Sequence, residues 1–241
     1  LTGRGSQVDL AHIPVEPIAW RPCYRLIPSR YPTVGLYDAI AHPADLDVVY
    51  AIEGLTNPRI RNELGQLPLV PPAERLSGPG ATPIMAAFTH LNPEGSRFSD
   101  GSYGVYYAAD TRETAIAEVS YHRCVFLQRT AEPPIDVDLR LIVADLEAPL
   151  HDLRPLRASA PAIYDPDHYG ASQRLGGRLR ETGSWGVIYD SVRHPGGLCV
   201  GAFRPRALAR ARQSAHIALH WDGQRITHWF EKKPPKALAG D

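Results

Sequence analysis

An α+β domain is the fold class this sequence predicts. Short strands recur along it, helical stretches are interspersed among them, and two pairs of apolar runs read as hairpins. With 241 residues, 44% of them hydrophobic, the chain is long enough for one large domain or two small ones. It shows no internal repeat and no linker. A single domain over 23–233 is therefore expected, with a polar, proline-containing arm over 1–22 and a frayed tail over 234–241.

Cys23 to Ile27 reads as a first strand, closed off by Pro28 and Pro32. Ala44 to Gly54 has Leu46, Val49 and Tyr50 at helical spacing; Thr56-Asn57-Pro58 stops it and starts a second helix to about Leu64. Pro68 to Pro83 is rich in proline and glycine and reads as loop. Ile84 to Thr89 fits helix and strand equally. Val105 to Ala108 is a strand next to glycines. Asp110 then offers an N-cap with Glu113 as its capping-box partner, opening a helix to about Phe126. Ala115, Val119, His122 and Phe126 share one face of that helix, and Glu118 lies on the flank of this stripe.

Apolar residues alternate from Val137 to Val143, as in a half-buried strand. Asp167 is placed to cap a helix from Tyr169 to about Glu181, ended by Gly183. Trp185 to Val192 and Leu198 to Phe203 read as one hairpin through Pro195-Gly196-Gly197. Ala218 to Trp221 and Arg225 to Phe230 read as a second about Asp222-Gly223.

The 26 basic and 26 acidic residues cancel, which argues against a chain that holds nucleic acid by itself. No apolar run reaches the ~18 residues of a membrane span, and no signal-peptide pattern opens the sequence, so no membrane partner is expected. Cys23, Cys124 and Cys199 are scattered, with no Cys-x-x-Cys pair, and read as reduced thiols of a cytoplasmic protein. Lysine occurs only at 232, 233 and 236, so the remaining basic residues are arginine. Compositional bias accounts for that, and so does anion recognition by guanidinium groups.

The sequence has no phosphate-binding loop, no Gly-x-Gly-x-x-Gly after a strand and no Gly-x-Ser-x-Gly elbow. His216 and His220 sit four apart in a strand-like run, which does not favour zinc. What stands out is Gly95 to Glu118, where Arg97 precedes a strand, Tyr107 lies near its end and Glu118 sits in the following helix. Singly, Arg97 fits a surface ion pair, Tyr107 a strand core and Glu118 a rim position beside Arg112 or Arg123. Jointly they offer a cation for an anionic ligand, a ring to stack and a carboxylate for a developing positive charge.

Cys23-Tyr24-Arg25, Gly95-Ser96-Arg97-Phe98, Tyr107-Ala108-Ala109-Asp110, Thr114-Ala115-Ile116-Ala117-Glu118 and Tyr189-Asp190-Ser191-Val192-Arg193 occur in that order. Together, over about residues 23 to 206, they resemble the RES-domain family, toxins of bacterial toxin–antitoxin pairs. Asn57-Pro58-Arg59, Gly78-Pro79-Gly80, the run from Ser96 to Tyr107 and Tyr189 to Gly197 resemble its longer-chain branch. The shorter members read Gly-Arg-Trp where this chain has Ser96-Arg97-Phe98.

The resemblance implies an ADP-ribosyltransferase-like mixed fold of short twisted sheets flanked by helices, with NAD as substrate and no metal. It implies catalytic roles for Glu118, Tyr107 and Arg97. NAD contacts fall to Arg25, Arg97, Tyr107 and Ser191, with Ser172 the alternative serine. The activity implied is ADP-ribosylation of a protein such as phosphoribosyl pyrophosphate synthetase. NAD phosphorolysis or hydrolysis is the alternative, and a non-catalytic nucleotide-binding module a third. The implied partner is a cognate antitoxin covering the NAD cleft.

Overall fold

The computed structural model describes residues 8–29, 36–39, 43, 46 and 65–233. The helices expected between Ala44 and Leu64 lie outside the described residues, Leu46 apart, as do residues 1–7 and the tail from Pro234. The strands are β1 (Val15–Pro28), β2 (Tyr106–Ala109), β3 (Ile135–Asp152), β4 (Gly186–Asp190), β5 (Leu198–Ala202), β6 (Leu208–Trp221) and β7 (Ile226–Lys232). The helices are α1 (Leu36–Ala39), α2 (Ala81–Thr89), α3 (Arg112–Thr130), α4 (Leu156–Ser159) and α5 (Gly170–Glu181).

The strands form one mixed sheet in the order β1-β2-β5-β4-β3-β6-β7, and β1 also pairs with β3. Only β3 and β4 run parallel; every other pairing is antiparallel. β3 is the spine. It carries β1 along Leu139–His151, β6 along Ile135–Leu146 and β4 at His151 and Asp152. The sheet returns on itself where Tyr24 of β1 meets Ala109 of β2. The fold is α+β, as expected, but its sheet is built on three strands of 14, 18 and 14 residues.

β1 starts at Val15, within the segment expected to be an arm. Val15 to Trp20 pair with His151 to Leu146. Most of those side chains are exposed, so the ladder forms without the apolar alternation that marks a strand in sequence. β6 likewise starts ten residues before the expected Ala218, and its first half carries exposed Ala209, Arg210, Arg212 and Gln213.

Ile84 to Thr89 belongs to α2, entered through Gly80 at φ 84°. α3 is capped by Thr111, whose hydroxyl accepts from the Thr114 amide at 3.2 Å. The expected Asp110–Glu113 capping box is absent: Asp110 accepts from the Leu198 amide at 3.1 Å, and Glu113 faces Arg112 at 3.5 Å. A threonine at the cap leaves Asp110 free to tie the start of β5 to the end of β2. α3 continues to Thr130, and Phe126 is 52% exposed rather than part of the buried stripe. Asp167 does not cap α5. Its carboxylate accepts from the Tyr121 hydroxyl at 2.5 Å and faces Arg193 at 3.3 Å.

Two cores lie on either face of the sheet. One gathers Cys23, Ile84, Met85, Tyr106, Ile142 and Val200, with α2 packed into it. The other gathers Leu26, Phe98, Ala115, Leu175, Tyr189 and Ile217, with α3 and α5 packed into it. Because successive strand residues point to opposite faces, Tyr106 is fully enclosed in the first core while Tyr107 borders the second.

Candidate active site

Glu118 is half-buried on α3 and faces the β4–β5 hairpin. The Ser191 hydroxyl donates to its Oε1 at 2.6 Å. Ser191 Oγ accepts in turn from the amides of Arg193 at 3.1 Å and His194 at 2.9 Å. With both lone pairs so occupied, the hydroxyl proton is directed at the carboxylate. The Cys199 thiol lies 3.8 Å from the same oxygen. Desolvation first, then the charges of Glu118 and Asp110, raise its pKa well above that of a free thiol. Tyr189 is buried beside it, edge-on to Phe98 at 5.0 Å, and desolvation holds its phenol protonated. Thiol and phenol are thus neutral at physiological pH.

The serine is fixed by a latch between α3 and the hairpin. Buried Thr114 shares hydrogen bonds with the Thr111 hydroxyl at 2.7 Å and His194 Nδ1 at 2.8 Å. The Gly197 carbonyl accepts from the Ser191 amide at 2.8 Å, and a Cβ on Gly197 would stand 2.4 Å from Thr114 Oγ1. Thr114→Val strands the His194 nitrogen. Urea unfolding of this variant is expected to show about 1–2 kcal/mol less stability, the cost of one unsatisfied buried group, with Thr114→Ser close to wild type.

Tyr107 sits on β2 with its hydroxyl committed. It shares a bond with Ser96 Oγ at 2.8 Å and accepts from the Phe98 amide at 2.9 Å. Desolvation pushes its pKa to about 12. With its hydroxyl so committed, Tyr107 has only its ring to offer a ligand. Arg97 is buried, its guanidinium 4.5 Å from the Tyr169 ring centroid. Nη1 donates to the carbonyls of Ile163 at 3.2 Å and Asp165 at 3.0 Å.

Arg25 points to the other face of β1, with Cys23 and Ile27. Its guanidinium lies 4.6 Å from the Tyr106 ring centroid and donates to the Tyr107 carbonyl at 2.9 Å. Its Nε is enclosed and has no partner. Desolvation lowers its pKa, and no carboxylate faces it among the described residues.

The structure therefore brings Glu118 and Ser191 into contact, ties Tyr107 to the loop that carries Arg97, and sets Arg25 against the Tyr107 backbone. Ser172 is separate. It is fully buried in α5 and donates to the Tyr169 carbonyl at 3.0 Å. Tyr189, Cys199 and the Thr114–His194 pair are neighbours that sequence reasoning missed. For Tyr189 the signal is its two-residue spacing from Ser191, which follows the end of β4. A groove of about 450 Å³, bordered by Tyr24, Asp110, Arg112, Leu141 and Glu231, lies at the start of α3 and includes none of this set.

Fold and site define an α+β protein whose candidate catalytic carboxylate is held by a serine hydroxyl and neutral neighbours. The RES domain family model matches residues 72–222, well over half of the chain, and the chain belongs to that family. It is 37% identical over 209 residues to the protein y4oC of Sinorhizobium fredii (strain NBRC 101917 / NGR234), covering 85% of this chain and 84% of that one. A crystal structure of the M. tuberculosis MbcT–MbcA toxin–antitoxin complex aligns with a TM-score of 0.48 and 13% identity, covering 85% of this chain and 86% of that one.

Proposed function

We propose that the protein is an NAD-consuming toxin of a bacterial toxin–antitoxin pair, a mono-ADP-ribosyltransferase that passes ADP-ribose to a protein. The observation that carries this reading is a mismatch of charges. Glu118 has no cation paired with it, and Arg97 on the same face of the sheet has no carboxylate, among the described residues. Partly or fully buried charges that have only neutral hydrogen-bond partners are costly unless a ligand supplies the opposite charge. NAD supplies both signs, a pyrophosphate for the guanidinium group and a cationic nicotinamide ribose for the carboxylate.

Breaking the nicotinamide–ribose bond builds positive charge on the ribose. A fixed carboxylate stabilises that charge more in the transition state than in the ground state. Ser191 holds Glu118 in place, the Tyr107 ring stacks on nicotinamide, and Arg97 binds the pyrophosphate by charge-assisted hydrogen bonds. Arg25, expected from sequence to share that contact, lies on the opposite face of the sheet and supports the Tyr107 backbone instead. Such an enzyme harms its own host, so a cognate antitoxin covering the NAD cleft is its expected partner. By resemblance to the ParT-type members of the family, phosphoribosyl pyrophosphate synthetase is the candidate acceptor.

The test is incubation of pure protein with labelled NAD, with and without phosphate or cell lysate. Label is expected in a protein band. ADP-ribose-1″-phosphate or free ADP-ribose as the sole product would replace transfer with phosphorolysis or hydrolysis. NAD bound but uncleaved under every condition would leave only a binding module.

A further inference from the structure

We propose that His122 is the general base on the acceptor side, removing the proton of a neutral hydroxyl as that oxygen attacks the ribose carbon. This rests on the NAD reading above and deepens it, because it assigns the acceptor to the class of hydroxyl groups rather than phosphate.

His122 follows Glu118 by four residues on α3, so the two side chains are neighbours on one helix face. The residue reaches solvent while its ring is partly covered, edge-on to Tyr121 at 5.4 Å and to Tyr169 at 6.4 Å. Tyr169 is the residue under the Arg97 guanidinium, which places His122 on the rim of the same site.

The ring nitrogens set it apart. Every other described histidine has a ring nitrogen engaged: His12 with Asp9, His151 with Ser184, His168 with Asp165, His194 with Thr114, His216 with Gln213, His220 with Asp136, His228 with Thr227, and His90 with Thr89. His122 alone among them has no hydrogen bond to its ring, so a lone pair is available.

The charged groups around it come from four elements: Glu118 and Arg123 on α3, Arg97 before β2, Arg193 in the β4–β5 loop, and Asp167 before α5, with Tyr121 and Tyr169 as its ring neighbours. Desolvation lowers its pKa. Glu118 opposes that shift, and Arg193, Arg97 and Arg123 reinforce it. The net direction keeps the imidazole neutral at physiological pH, the state a base requires.

The step balances. The bond from the ribose carbon to the nicotinamide nitrogen breaks, and its electron pair leaves with nicotinamide, which becomes neutral. A lone pair of the acceptor oxygen forms the new bond, and the hydroxyl proton passes to the free imidazole nitrogen. The imidazolium then yields it to water. Hydrogenphosphate already presents anionic oxygens that attack without giving up a proton, so it gains nothing from this base.

The test uses the full chain with NAD and three acceptors: water, methanol as a simple hydroxyl, and inorganic phosphate. In His122→Gln, attack by water and methanol is expected to fall about 100-fold, the lower range for a general base. Attack by phosphate should change less than about threefold. The wild-type methanol rate should also fall with decreasing pH as the imidazole protonates, a limb absent from His122→Gln. In His122→Ala, added imidazole should restore methanol attack. Equal losses for all three acceptors, or an unchanged methanol rate, would overturn the role of His122 while leaving NAD cleavage standing. If the wild type cleaves no NAD with any acceptor, the NAD reading fails and this role fails with it.

Discussion

Glu118→Gln is expected to bind NAD within about threefold of wild type and to cleave it at least ~100-fold more slowly, the usual scale for removing a fixed electrostatic catalyst. The substitution keeps the side chain's shape and an oxygen that accepts from Ser191, so the fold and the cofactor pocket are retained. What it removes is a negative charge that has no ion-pair partner among the described residues. Calorimetric binding of NAD, together with the rate of nicotinamide release, separates the two effects. A variant that still turns over normally would sink the catalytic assignment. Weaker binding at an unchanged rate would move Glu118 from catalysis to recognition. In cells, the variant should be tolerated where the wild type arrests growth.

The second large effect is on folding, and two adjacent glycines of α5 should respond in opposite directions. A Cβ on Gly176 would stand 2.2 Å from the Phe98 carbonyl oxygen and 3.0 Å from its Cβ, atoms of the segment that carries Arg97. Backbone cannot yield there as a flexible side chain would. Gly176→Ala should therefore destabilise the protein by about 3 kcal/mol, at the upper end for overpacking. A Cβ on Gly177 meets nothing within 4 Å. Gly177→Ala should stabilise by about 0.5–1 kcal/mol, because alanine is the better helix former. Parallel urea titrations of the two variants are the check. If both shift the same way, α5 does not pack on the Arg97 segment as described.

The central stretch was legible in the sequence because every local cue there agrees. Apolar residues flanked by glycine marked β2, the hairpin turns gave β4–β5 and β6–β7, helical spacing gave α3, and Gly183 marked the end of α5, although the cap expected at its start is not made. Asp222 illustrates the turns: its carboxylate accepts from the amides of Gln224 and Arg225, and Gly223 has φ 99°. The first half of β1 and the start of β6 were not legible. Their strand state comes from ladders to β3, while their exposed side chains leave no apolar pattern to read. Arg97, Tyr107 and Glu118 could be singled out because their residue types and order form a set, whereas Ser191 entered only through the family resemblance. Contacts between residues far apart in sequence could not. Nothing in Thr114 or His194 announces a bond across 80 positions, and nothing in Ser172 shows that its hydroxyl is spent on its own helix.

β2 is four residues long, and its consecutive tyrosines serve opposite faces of the sheet. This makes chain length, more than side-chain identity, the quantity fixed between Ser96 and Tyr107. A substitution at an exposed position such as Asp100 or Ser102 leaves that length, and with it the facing of the two tyrosines, unchanged. One residue inserted after Gly104 would turn each following side chain to the opposite face, sending Tyr107 into the core and the Tyr106 ring toward the site. The same slip would move the carbonyl that receives Arg25. A deletion scan of this segment would therefore show a period of two, a pattern that no scan of point substitutions would reveal.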